Sequence, residues 1–144
     1  MNQGIRLKIR LDYRGEARSR FLLGTRNSHQ SAEEKREQKV NLLRNLPMQG
    51  IQIEEVDLHQ PTYSLYDDSR GTEVAYAPAV LTLRADSLED VLRFLFWEEF
   101  RLVEIIEPEE ITFTRQQLER LLFKIGEGIQ GLQTVLERRA SGRP

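Results

Sequence analysis

Apolar and polar residues alternate in four stretches of the chain, and a period of two residues is typical of a β-strand with one buried face. The clearest stretch begins at Ile5, where every second residue as far as Leu11 is aliphatic and the residues between them are charged. Similar patterns follow at 50–58, 74–84 and 100–106. We predict a strand at each of these positions and at 5–12. Between Ile53 and Val56 the alternation shifts by one residue, which predicts a β-bulge.

Two stretches with a helical period lie between these strands. Ser31 and Glu34 have the spacing of a capping box, which predicts a helix over 31–46. A second helix is predicted to begin near Leu88, because Ser87 can accept a hydrogen bond from one of its first free N–H groups. A rotation of 100° per residue puts the following residues of this helix in one apolar sector: Leu88, Val91, Leu92, Leu95 and Phe96.

The longest helical pattern lies near the C-terminus, where Thr114 and Gln117 form a second capping box and the predicted helix runs to about Arg139. One side of this helix carries Leu118, Leu121, Leu122, Ile125, Ile129, Leu132 and Leu136. The spacing of 4, 3, 4, 3, 4 through six of these residues is the alternation of a seam between helices. Glycines weaken helix formation, and this stretch contains Gly126, Gly128 and Gly131. The sequence therefore leaves open whether the helix is continuous or its tail folds back over the sheet.

The predicted elements follow the order β, α, β, β, α, β. A polar turn at 67–71 is expected to close a hairpin onto the third strand. This order predicts a ferredoxin-like βαββαβ α+β fold, with an antiparallel sheet, helices on one face and a long C-terminal helix. The basic connection after the first strand can hold a short return strand around Phe21–Leu23. The predicted parts are an α+β domain at 1–113, an amphipathic helix at 114–140 that packs on the domain and/or a second subunit, and a flexible tail at 141–144.

Composition restricts the function without identifying it. The chain has 144 residues, no cysteine and no apolar run of 18 residues, which excludes disulfides, thiolate zinc sites and cysteine nucleophiles and argues against a membrane span. We expect a cytoplasmic protein with one hydrophobic core. Residues 1–45 contain 11 Lys and Arg against 5 acidic residues, whereas residues 46–144 contain 10 against 18. Such asymmetry favours attraction between copies or between halves of one domain, and it also occurs in proteins that bind nucleic acid.

Candidate catalytic chemistry is sparse. The two histidines, His29 and His59, are 30 residues apart, and neither has a partner at the spacing of metal ligands. Asp67 and Asp68 fit a polar turn better than a calcium loop, which requires more oxygen ligands at fixed positions. We therefore predict no catalytic residue, no metal site, no cofactor and no enzymatic activity.

Several short motifs lie between residues 59 and 129: the pair His59–Gln60, the turn DDSRG, the helix SLEDVLRFLF, and the strand end VEIIEPEEI followed by a helix. Together they resemble the C-terminal extension of WYL-domain transcriptional regulators, the region called WCX. The resemblance implies a ferredoxin-like accessory module that serves regulation or assembly. The chain has no room for the helix-turn-helix of that family and shows no WYL domain, so the resemblance does not imply DNA binding.

Two groups of side chains are candidates for function. The first group consists of four cations on the outward face of the predicted sheet: Arg6, Lys8, Arg10 and Arg84. They would contact phosphates if the protein binds nucleic acid, or they would form ion pairs with Glu54 and Glu104. Apolar residues that would form an interface between copies are Trp97, Ile125, Ile129, Leu132 and Leu136. Trp97 lies outside the apolar sector of its helix, so it either folds back or anchors a partner. We expect a regulatory or assembly module that acts through protein–protein interaction and self-associates as a homodimer or higher oligomer, with nucleic-acid binding as the alternative.

Overall fold

The computed structural model describes residues 4–16, 28–69 and 71–142. In chain order the elements are β1 (Ile5–Arg14), α1 (Ser28–Asn45), β2 (Ile51–Asp57), β3 (Tyr63–Asp67), β4 (Thr72–Ala85), α2 (Leu88–Leu95), β5 (Phe100–Glu107) and α3 (Arg115–Ala140). The predicted α+β class, the antiparallel sheet and the long C-terminal helix are confirmed. The predicted strand around Phe21–Leu23 lies outside the described residues.

The sheet has the strand order β2-β4-β1-β5, and every pairing in it is antiparallel. β3 is a fifth strand that the sequence did not separate from the connection before it, and it pairs with the first half of β4. β4 has 14 residues, so it is long enough to carry β3 and β2 one after the other along the same side. The predicted bulge in β2 is confirmed by a register shift between Ile53 and Glu55.

Pro78 lies between the part of β4 that pairs with β3 and the part that pairs with β2. Residues 80–85 pair with β2 and residues 72–76 pair with β3, so Pro78 lies in the gap between the two strands and its missing N–H group breaks no ladder there. Arg36 of α1 reaches this gap, because its Nη1 donates hydrogen bonds to the carbonyl oxygens of Pro78 at 3.1 Å and Gln60 at 3.5 Å. The Arg36 side chain thus donates hydrogen bonds in the gap where neither β2 nor β3 pairs with β4.

The core lies between the sheet and two helices on the same face. Every second residue of β1 and of the second half of β4 points into it, and α1 and α2 cover it with Val40, Val91 and Phe94. The buried residues are Ile5, Leu7, Ile9, Leu11, Tyr13, Val40, Ala79, Leu81, Leu83, Ala85, Val91 and Phe94. The opposite face of the sheet carries the charged residues of β1.

Two helix predictions need correction. α1 begins by Ser28, three residues before the predicted capping box, and the Ser31 hydroxyl instead accepts a hydrogen bond from the backbone N–H of Glu16. α2 has only eight residues, and it buries Val91 and Phe94 while leaving Leu95 at the surface. The predicted apolar sector included Leu95 and omitted Phe94, because an eight-residue helix is too short for a stripe to define one face.

α3 is continuous through its three glycines. A methyl group at Gly128 would lie 2.2 Å from the ring of Phe96, so the absence of a side chain lets the helix approach the end of α2 closely. Gly126 and Gly131 face open space instead. The predicted capping box at the start of α3 is confirmed, with the Thr114 hydroxyl accepting from Gln117 N–H and the Gln117 side chain accepting from Thr114 N–H.

The three glycines are expected to respond differently to alanine. Gly126→Ala and Gly131→Ala should each raise the free energy of unfolding by about 0.5–1 kcal/mol, because alanine favours the helix and nothing obstructs it. Gly128→Ala should be less stable than either by about 1–3 kcal/mol, because the ring of Phe96 must move. Urea unfolding followed by circular dichroism measures all three. Equal stabilisation by the three substitutions would contradict the docking of α3 on Phe96.

Candidate functional site

The open face of the sheet, opposite α1 and α2, carries the predicted nucleic-acid-binding residues. Arg6 and Arg84 both contact the carboxylate of Glu54, with nitrogen–oxygen distances of 3.0 Å and 3.6 Å. Arg84 also lies 3.5 Å from Glu107, and Lys8 is paired across the ladder with Glu104. The four predicted cations, including Arg10, are therefore next to acidic residues of neighbouring strands or of their own strand.

Asp12 is the centre of a polar cluster on this face. Its side chain is 2% exposed, and it accepts hydrogen bonds from Arg10 Nε at 2.9 Å and from the hydroxyl of Tyr63. Arg101 Nε lies 3.9 Å from the same carboxylate. The ring of Tyr63 stacks on Tyr76 at 5.4 Å, and the guanidinium of Arg101 lies over Tyr76 at 5.6 Å from the ring centre. The cluster thus connects β1 with β3, β4 and β5.

The electrostatics of this cluster follow from burial and pairing. Burial raises the pKa of Tyr63, and the hydrogen bond to Asp12 raises it further. The same carboxylate raises the pKa of Arg10, chiefly through its hydrogen bond. Both groups keep their protons at neutral pH, so the cluster is a fixed set of donors around one acceptor. Such an arrangement fits a structural crosslink between strands.

The two histidines lie in separate places. His59 Nδ1 is 2.8 Å from Asp57 at the surface, and the His59 backbone N–H is the main cause of the lowered pKa of Asp57. His29 Nδ1 is 2.7 Å from the hydroxyl of Thr62. Within residues 4–16, 28–69 and 71–142 no group of three or more His, Asp or Glu side chains could hold a metal ion. The Asp57–His59 contact is thus an exposed pair at the end of β2.

The second candidate site is apolar, and we call it the β5–α3 surface. Seven of the eight residues of β5 are exposed, and α3 has no buried residue. The large hydrophobic side chains exposed on these two elements are Leu102, Val103, Ile105 and Ile106 of β5, and Leu118, Leu122, Phe123, Ile129, Leu132, Val135 and Leu136 of α3. Monomeric soluble proteins rarely expose a large contiguous apolar patch, so exposed side chains of this kind are candidates for contact with a partner.

The predicted interface residues divide into two groups. Ile129, Leu132 and Leu136 are 47%, 41% and 60% exposed, so they are available for a partner. Ile125 is half-buried, on the side of α3 that faces its own domain. Trp97 folds back after α2 and packs against the core, with its ring edge-to-face on Phe94 at 4.8 Å. Trp97 therefore belongs mainly to the core of its own subunit.

A groove of about 730 Å³ separates the second half of α3 from α1 and the end of α2. Its apolar lining includes Leu42, Leu95 and Leu136, and a 3.9 Å ion pair between Arg139 and Glu98 crosses near its end. This groove is not predictable from the sequence, because it depends on how α3 docks on the domain. It leaves Leu132 and Val135 only partly covered by their own chain.

Comparison of the chain with models of protein families, with curated proteins and with solved structures finds no match. The resemblance to the WCX region therefore stays a prediction. None of the helices in the described part of the chain is long and apolar enough to cross a membrane.

Proposed function

We propose that the protein is a non-enzymatic regulatory or assembly module that acts through protein–protein interaction and associates with itself through α3. The observation that carries this proposal is the exposure of seven large hydrophobic side chains on one 26-residue helix. The resemblance to the WCX region supports an accessory role. The strand order β2-β4-β1-β5 supports the ferredoxin-like arrangement, with β3 as an added strand beside β4.

The seam of α3 supports pairing with an identical helix. Its spacing of 4, 3, 4, 3, 4 reads the same in both directions. An antiparallel pair centred near Glu127 therefore places Leu118 opposite Leu136 and Leu122 opposite Leu132, while Ile129 meets the exposed part of the half-buried Ile125. Each layer joins two aliphatic side chains, which is the packing that a two-fold helix pair requires.

Two aspartates in the seam should separate the subunits. Ile129→Asp with Leu132→Asp would place two charges where the proposal puts apolar contacts, and burying unpaired charge is strongly unfavourable. Light scattering after size exclusion at tens of micromolar should give a dimer or larger assembly for the wild type and a folded monomer for the double variant. The matched control, Gln130→Asp with Thr134→Asp, adds the same charge on the polar side of α3 and should keep the wild-type mass. A monomeric wild type would contradict the proposal.

Nucleic-acid binding is the alternative, and the charges of the open face favour it less. A protein that binds phosphates needs cations that are free to replace counterions. Arg6, Arg10 and Arg84 are each in ion pairs, and Lys8 lies opposite Glu104. Labelled single- and double-stranded probes at low salt test the alternative directly, and binding that weakens in Arg6→Ala with Lys8→Ala would support it over self-association alone.

A further inference from the structure

β5 is the last strand at one side of the sheet, and no strand within the described residues pairs with its outer edge. It has eight residues, without proline or lysine, and its exposed aliphatic side chains lie on both faces, because successive residues of a strand point in opposite directions. Natural sheets protect edges of this kind with lysine, proline, shortness or a cover, because an open edge pairs with other chains. β5 has neither lysine nor proline and is not short, and its two register shifts against β1 lie near its ends and leave residues 102–105 regular.

The register of the sheet shows which amide groups of β5 point outward. The backbone N–H of Asp12 donates to the carbonyl of Glu99 at 2.8 Å, so Asp12 directs its peptide groups toward β5. β1 pairs with β4 without a register shift, so Arg10 and Lys8 point the same way as Asp12. Their partners on β5 are Leu102 and Glu104, which therefore bond to β1. The N–H and C=O groups of the residues that alternate with them, Val103 and Ile105, point away from the sheet.

We propose that β5 pairs in antiparallel orientation with β5 of a second copy, with the two-fold axis at Glu104, so that the two sheets become continuous. This inference rests on the proposed self-association and assigns it a second contact. The strand is complementary to itself at the centre of this register, where Val103 lies opposite Ile105 on each side of the axis, and the two register shifts of β5 against β1 lie outside this central part. Val103 and Ile105 are also the residues with outward peptide groups, so each such pair forms two backbone hydrogen bonds.

Neighbouring registers match less well. Centring the pair on Val103 places Leu102 opposite Glu104, and centring it on Ile105 places Val103 opposite Glu107. In each register, the residue numbers of paired residues have the same sum. Registers with an odd sum would place side chains from opposite faces of the sheet next to each other, which a two-fold axis does not allow. The sequence of β5 thus selects a second copy of this chain as the occupant of the edge.

The area is adequate for a stable contact when α3 contributes. The eight residues of β5 span about 26 Å and the 26 residues of α3 about 39 Å, and a contact width on the order of 10 Å gives roughly 650 Å² for each copy. Specific interfaces bury about 800 Å² on each partner. Either element alone falls well below that value, which is why an assembly that uses both is favoured.

The register makes a distinctive prediction at its centre. Two Glu104 carboxylates face each other across the axis, and like charges directly opposite each other weaken a strand pair. Glu104→Gln should therefore tighten self-association by about two- to five-fold, whereas a surface glutamate outside the contact would leave the dissociation constant unchanged. Glu55→Gln on β2, at the opposite edge of the sheet, is a matched comparison at an exposed position with the same change of charge.

Amide hydrogen exchange by NMR tests the pairing residue by residue. In the assembled wild type, the amides of Val103 and Ile105 should exchange roughly 100-fold or more slowly than unpaired amides. Ile105→Pro removes an outward N–H group and should return Val103 to fast exchange, whereas Ile105→Thr keeps the N–H group and should retain slow exchange. Slow exchange at Leu102 and Glu104 in both variants shows that β5 still pairs with β1.

The outcomes separate this inference from the proposed function. A wild type that assembles but exchanges Val103 and Ile105 as fast as exposed loops would overturn the strand pairing and leave assembly through α3 intact. A monomeric wild type would overturn both. An assembly that keeps slow exchange in the Ile129→Asp with Leu132→Asp variant would support β5 as a contact in its own right.

Discussion

Replacing Phe94 by alanine is expected to lower the free energy of unfolding by about 3–5 kcal/mol, the largest effect of a single substitution in the core. Phe94 is fully buried, and it is one of the three residues through which the helices complete the core above β1 and β4. Its ring also supports Trp97, which packs edge-to-face on it. Alanine would leave a cavity that an eight-residue helix cannot close by a small shift. Urea unfolding at a fixed protein concentration measures the loss.

Phe123→Ala is the matched control, because Phe123 is 67% exposed on α3. In the monomeric background of Ile129→Asp with Leu132→Asp, this change should alter the free energy of unfolding by no more than about 0.5 kcal/mol. When Phe94→Ala is measured in the same background, the comparison keeps the chemistry constant and changes only the burial. A loss at Phe94 that is as small as at Phe123 would contradict the position of α2 over the sheet.

The strands were predictable because burial of one face imposes a period of two on the sequence. β1 alternates through Ile5, Leu7, Ile9 and Leu11, all of which are buried, and the change of phase in β2 identified a bulge that the structure contains. The exception is β3. Both faces of that strand are largely exposed, so its residues have no alternation to reveal it, and its existence depends on the length of β4.

The predicted start of α2 at Leu88 and the burial of Val91 are confirmed, but the predicted apolar sector missed Phe94 for a related reason. A helical wheel identifies a buried face only when several turns repeat the pattern, and α2 has barely two turns. The buried residue Phe94 is determined by the approach of the helix to β4, and the position of Trp97 by the turn that follows. Neither depends on the local sequence alone.

The two candidate surfaces differ in the same way, because one depends on the local sequence and the other on contacts between distant residues. The seam of α3 is formed by residues close together in the sequence, so their spacing alone identified Ile129, Leu132 and Leu136 as candidate interface residues. The partners of the cations on the open face are not local. Glu54 reaches Arg6 across 48 positions of the chain, and the hydroxyl of Tyr63 reaches Asp12 across 51. The sequence suggested ion pairs with Glu54, but it gave no sign that Tyr63, Tyr76 and Arg101 meet around Asp12.

Asp12→Ala is the second substitution with a large expected effect, a loss of about 2–4 kcal/mol in the free energy of unfolding. Removing one member of a buried charged pair costs about 3–5 kcal/mol when the remaining charge stays buried. The estimate is lower here because Arg10 and Arg101 keep about a third of their side chains exposed and can recover part of their hydration. The partly buried hydroxyl of Tyr63 also loses its acceptor.

Asp57→Ala provides the control on the same sheet, because Asp57 contacts only an exposed histidine and should change the free energy of unfolding by about 0.5 kcal/mol or less. Asp12→Asn separates charge from hydrogen bonding, since the amide oxygen can still accept from Tyr63 while the negative charge is lost. We expect its stability to lie between those of the wild type and Asp12→Ala. If Asp12→Ala were no more destabilising than Asp57→Ala, the cluster would not hold β1 to β3 and β5.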